Sequence, residues 1–163
     1  MPTKKTESPF VVADALIGAY ATNNRINVYL VRNLPDEAWR AKPAGAKGRD
    51  IALMVAHMHN VRLMWLKAVG ATELPRKPDP HTVSRSQAVQ ALEESCKALE
   101  DTLRLSLNGA GRIKGFKPDA VGFFAYPMAH DAHHRGQITM LARQVGHPVS
   151  QSVMFGMWEW GTR

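Results

Sequence analysis

Val89, Leu92, Cys96, Leu99, Leu103 and Leu107 recur at alternating spacings of three and four, which is the period of one apolar face of an α-helix. The stretch has its own punctuation. Ser84 and Gln87 stand at the spacing of a capping box, and Asn108-Gly109 closes the run. Nowhere does the chain sustain the period-two alternation of a half-buried strand, and it has no internal repeat or low-complexity tract. These patterns restrict the fold to all-α.

Three further helical stretches can be bounded in the same way. Ser8-Pro9 reads as a cap followed by proline in the first turn, predicting a first helix over 9–33. Leu34-Pro35-Asp36-Glu37 opens a minor turn reaching Trp39, and 42–48, with Pro43 and Gly45, is a loop. Asp50 caps a second helix that stops at Gly70. Pro75, Pro78 and Pro80 exclude both helix interior and central strand from 71–81, which becomes a crossing loop. Asp119 opens a fourth helix ending at Gly146, with Pro127 inside it expected to kink or divide it. Four amphipathic helices bury their stripes most simply as a four-helix bundle. The expected organisation is a single domain over 1–163, with 1–8 a flexible N-terminal tail and 148–163 an aromatic C-terminal tail. That tail carries Phe155, Trp158 and Trp160, enough apolar area to require the bundle or a second subunit as cover.

Composition narrows the function classes. At 163 residues with 45% apolar and 21% charged residues, the chain can bury a core without a staple. No run approaches the roughly 18 apolar residues of a membrane span, and Met1-Pro-Thr-Lys-Lys-Thr-Glu lacks the apolar segment of a secretory signal. The expectation is a cytoplasmic protein with no membrane partner. Cys96, the single cysteine, lies on the buried stripe of the third helix and reads as core, because burial raises a thiol's pKa and quenches its reactivity. The net charge of +7 is spread without a basic run or an RNA-binding signature, so nucleic acid is an improbable partner while small anionic ligands remain compatible.

The chemistry lies in the fourth helix. Phe123, Pro127, His130, His134, Gln137, Leu141 and Val145 trace a stripe at helical spacing whose middle is polar. Unsatisfied polar groups in a bundle interior cost roughly 1 to 3 kcal/mol each, so these need partners or a ligand. His130 and His134 are one turn apart, about 6 Å along the axis, and point the same way. His57, on a stripe with Leu53, Val61, Met64 and Ala68, is the best third ligand from a facing helix. His59 is rotated about 200° from His57 and ranks below it; His133 is the weaker competitor of His134. Three imidazoles suit zinc first, then nickel, iron or cobalt, and leave a coordination position open. Neither the second nor the fourth helix holds a Glu, which argues against a di-iron carboxylate site. Gln137 and Asn60, each one turn from a histidine, and Asn23, which interrupts the stripe of the first helix, are candidates for supporting the ligands or lining the pocket. Asp131 and Arg135 read as a surface i, i+4 pair, and Arg25 and Asn27 as solvated. Gly136 suggests close approach of another helix or subunit. Beyond the metal ligands no catalytic residue is assigned.

His130-Asp-Ala-His133-His134-Arg-Gly-Gln-Ile138 resembles the final-helix signature of the DinB/YfiT-like metalloenzyme family. Asp50-Ile-Ala-Leu-Met-Val-Ala-His57, with Arg62 and Trp65-Leu66, is similar to that family's second helix, and Asn33-Leu-Pro-Asp-Glu-Ala-Trp39 to its turn after the first. The resemblance implies an up-up-down-down bundle with a long crossover between helices 2 and 3, frequent homodimers, and a three-histidine metal site carried over to His57, His130 and His134. It also implies a metal-dependent reaction of the S-transferase kind, in which a low-molecular-weight thiol is passed to a small electrophile. A metal-dependent hydrolase and a non-catalytic metal-binding stress-response protein are the alternatives.

Overall fold

The computed structural model describes residues 9–42, 45 and 47–163. Four long helices dominate it: α1 (Val12–Arg32), α2 (Ile51–Val69), α3 (Arg85–Leu107) and α4 (Ala120–Gln144), with a single 3-10 turn (Asp36–Ala38) after α1 and a short α5 (Gln151–Gly156) at the end. No strand occurs among the described residues, and no helix is long and apolar enough to cross a membrane.

Local chemistry sets most helix ends. Asp50 accepts from Leu53 N–H at 2.8 Å, Ser84 and Gln87 close a reciprocal capping box, and Asp119 accepts from Gly122 N–H at 2.8 Å. Gly70, at φ 93°, takes the left-handed conformation that ends α2 and that a side chain would resist. α1 differs from expectation. It begins at Val12 with Val11 as an uncapped N-cap, and the expected cap Ser8 and tail 1–8 lie outside the described residues. Phe10, Val11 and Val12 are all exposed, so packing does not fix the start of α1. α4 runs undivided through the buried Pro127.

The core has two clusters, and they fix the sense of each helix. One joins the C-terminal halves of α1 and α4 to the N-terminal halves of α2 and α3, through Leu30, Val31, Ile51, Val55, Val89, Leu92, Ile138 and Leu141. The other joins the opposite halves, through Ile17, Tyr20, Leu63, Leu66, Leu99, Leu103 and Phe123. The bundle therefore runs up-down-down-up, a correction to the up-up-down-down order implied by resemblance. Each of α1 and α2 packs on each of α3 and α4. Because α2 and α3 are parallel, the chain between them must return along the bundle, and this is why the crossover is long. His59 tethers it: its ring nitrogens lie 2.9 Å from the Ala91 carbonyl oxygen on α3 and 3.0 Å from that of Arg76 in the crossover.

The C-terminal segment is partly core. Val149 and Val153 join the first cluster, Gly156 sits where a Cβ would collide with the Tyr29 hydroxyl, and the Arg163 guanidinium lies 3.7 Å from the Tyr29 ring centroid. Phe155 and Trp158 remain exposed.

Candidate metal centre

The buried face of α4 consists of Phe124, Pro127, Asp131, His134, Ile138, Leu141 and Ala142, with Phe123 beside them. It is rotated from the stripe traced in the sequence, so that Asp131 faces the interior while Gln137 is exposed. On α2 the buried residues are Ile51, Ala52, Val55, Ala56, Met58, His59, Arg62, Leu63 and Leu66. The stripe of Leu53, His57, Val61 and Met64 instead lies along the border of that face, where Met64 is exposed and the others half-buried. The two borders meet, and the histidines meet there with them.

Nε2 of His130 lies 3.4 Å from Nε2 of His57 and 3.1 Å from Nε2 of His134. Nitrogen atoms of all three residues fall within 4.8 Å of one another. Nδ1 of His134 is 2.7 Å from Oε1 of Gln137, an acceptor, so that nitrogen donates and Nε2 keeps a lone pair turned toward the other rings. Burial, first, and the neighbouring charges push His57 down from 6.5 to about 4. Burial likewise lowers His130 and His134. All three are then neutral at pH 7, the state a metal requires. Two nitrogens bound at about 2.05 Å in a tetrahedral arrangement stand roughly 3.3 Å apart, close to the separations found. The donor set fits a divalent transition metal.

Behind the histidines is a polar core. The Asp131 carboxylate, next in sequence to His130, accepts at one oxygen from Asn23, Asn27 and Arg62, each at 2.8 Å. Arg62 also donates to Asn24 and to the Leu92 carbonyl, tying α1, α2, α3 and α4 together beneath the site. Arg135 donates to the side-chain oxygens of Asn23 and Asn27. The expected Asp131–Arg135 surface pair is thus replaced by a buried Arg62–Asp131 pair, and Asn27, expected in solvent, is buried. Asn23 supports this core rather than facing an open pocket. Asn60 is half-buried and bonds none of the histidines. A Cβ on Gly136 would meet nothing within 4 Å, so among the described residues no other helix approaches it closely.

Tyr126 stacks on His130 at 6.2 Å and leads into a cluster with Trp65, Phe116 and Phe123. This wall is apolar and lies on the side of the site away from Gln137. Cys96 is buried on α3, donates to Glu100, and has its thiol pKa pushed far up by burial.

The model of the DinB superfamily matches residues 20–138. The chain belongs to the DinB superfamily. A second model, of the DinB family, matches residues 120–160. Among solved structures, this DinB chain resembles a protein from Exiguobacterium sibiricum 255-15 described as a candidate member of the DinB family, at 16% identity and a TM-score of 0.55, over 89% of this chain and 99% of the other. At that identity the likeness speaks for the shared helical fold. No curated protein matches this DinB sequence.

Proposed function

We propose that this protein is a metal-dependent enzyme that activates a low-molecular-weight thiol for transfer to a small electrophile in the cytoplasm. In this reading His57, His130 and His134 hold one divalent metal, with zinc the first choice and nickel, iron and cobalt the others. The observation that carries it is the convergence of three Nε2 atoms, two of them at 3.1 and 3.4 Å from the third, in neutral imidazoles. A divalent metal on three histidines keeps a coordination position open and favours the ionised form of a thiol at neutral pH.

The chain's own groups hold this arrangement. Gln137 accepts from His134 Nδ1–H and fixes its tautomer. Asp131 anchors α4 to α1 and α2 immediately behind the ligands. Tyr126 covers one face of His130. In the net reaction the thiol proton passes to solvent, sulfur forms a bond to an electrophilic carbon, and that carbon's leaving group departs with the electrons of the broken bond. Asp131, the carboxylate beside the cluster, accepts three hydrogen bonds at one oxygen and is 1% exposed, so it serves as an anchor and is not offered to substrate.

A panel of small thiols crossed with alkyl and aryl electrophiles, run with metal-loaded and chelator-treated protein, tests the reading. Turnover should require both thiol and metal. Metal-dependent cleavage of esters or amides without thiol would replace it with hydrolysis, and tight metal binding with no turnover across the panel would favour a non-catalytic role.

A further inference from the structure

A cavity of about 260 Å³ opens beside the histidine cluster, lined by Lys42 and Arg49 before α2, Met54 on α2, and Gln137, Met140 and Gln144 on α4. Gln137 belongs to both places, since its Oε1 is the atom bonded by His134. The α4 side of the cleft runs from Gln137 to Gln144, about 10 Å of helix at 1.5 Å per residue. Its lining mixes apolar surface from Met54, Met140 and Leu141 with cationic and amide groups, and no Asp or Glu is among the lining residues.

The charges there are uncompensated. Among the described residues, neither Arg49 nor Lys42 forms an ion pair with a carboxylate. Asp50, next to Arg49, is 6% exposed and engaged in capping α2 and facing Arg40 at 3.7 Å. Arg49 lines the same cavity as Gln137, the residue that accepts from His134. Three neutral imidazoles add nothing against a divalent metal, and Asp131 is already matched by Arg62. One thiolate leaves the metal with a net positive charge, and Arg49 and Lys42 add two more at the mouth. A ligand carrying a second negative group is what this field selects.

Resting on the thiol-transfer reading, we propose that the thiol substrate bears a carboxylate, which Arg49, assisted by Lys42, holds in the cleft while the sulfur reaches the three histidines. Arg49 supplies the planar fork that matches a carboxylate, and Met54, Met140 and Leu141 cover the connecting carbons.

The test uses cobalt(II)-loaded protein, titrated with ω-mercaptocarboxylates of increasing chain length and with the ω-mercaptoalcohols of matching length, read by the thiolate-to-cobalt charge-transfer band. At one or more chain lengths the carboxylate should bind about tenfold more tightly than the alcohol, as a charge-assisted contact allows. Arg49→Met should bring that ratio to about one and Lys42→Met should lower it. Arg112→Met, which removes a charge bordering a different cavity, should leave it intact. A wild-type ratio near one at every length, or an undiminished ratio in Arg49→Met, overturns the carboxylate site while thiol binding stands. Cobalt bound without a charge-transfer band for any thiol overturns the thiol reading itself, and the carboxylate site with it.

Discussion

The Arg62 guanidinium and the Asp131 carboxylate meet at 2.8 Å with both side chains no more than 2% exposed. A buried ion pair gains little over a well-packed apolar pair, but removing one member strands the other charge at a cost of about 3–5 kcal/mol. Asp131→Asn and Arg62→Met should each lower the unfolding free energy by about that amount. The double variant should lose less than the sum of the two. Urea unfolding of all four proteins checks the cycle, and strictly additive losses would mean that the pair is not coupled.

His57, His130 and His134 replaced singly by Ala should lose metal affinity, while His59→Ala should keep it. The His59 ring lies between two carbonyl oxygens away from the cluster and, when neutral, donates to one of them, so its loss should cost stability, about 1–3 kcal/mol, through the loosened crossover. Calorimetric zinc titration separates the two groups. Undiminished affinity in both the His130 and His134 variants would dismiss the site.

Acid should destabilise the metal-free fold through the histidines. His57 titrates near 4 when folded, against 6.5 in its ordinary state, so between these values the unfolded chain binds the proton first. The stability contributed is complete above about pH 6.5 and is lost as pH falls toward 4. Wild type should therefore show a steeper fall in urea midpoint over this window than His57→Gln. Identical slopes would count against the depressed value. Because all three ligands have folded-state values below 6.5, metal affinity should stay level through pH 6.5 and weaken only as the pH falls toward those lowered values, where protons compete for the ligands.

Cys96→Ala should keep metal affinity and any turnover, with about 1 kcal/mol of stability lost from the α3 seam. Complete loss of turnover in a folded variant would show that the thiol does more than pack.

We propose a homodimer through the final helix near Gly136 or through the aromatic tail, where Met140, Phe155 and Trp158 are 62%, 64% and 78% exposed. Sedimentation at high micromolar concentration should give a dimer, and Trp158→Glu should shift it toward monomer. A wild-type monomer at that concentration would remove the proposal.

The features legible in the sequence are the local ones. Asp50, Ser84 and Asp119 cap their helices because a cap is an interaction between residues three apart, fully written in order along the chain. His130 and His134 can be paired because one helical turn separates them. Asp131 was misread for a complementary reason: it lies between those histidines, and its partner Arg62 is 69 residues away on another helix. A lone acid beside a basic residue one turn on looks like a surface pair until the facing helix is known. Asn27, buried by the same carboxylate, was misplaced with it. Helix direction was hidden too, because an apolar stripe reads alike from either end.

Because α1 packs chiefly on α3 and α4, little of its apolar face finds a partner in the helix that follows it. Its buried amides wait longer still: Asn23 and Asn27 bond a carboxylate 108 and 104 residues later. On a ribosome, the first two helices would emerge without a hairpin to form, and the interior of α1 would stay wet until α4 had been made. Such long loop closures slow folding and prolong exposure of the half-finished chain. For this protein, the helix carrying the two histidines is also the one that completes the bundle's polar core.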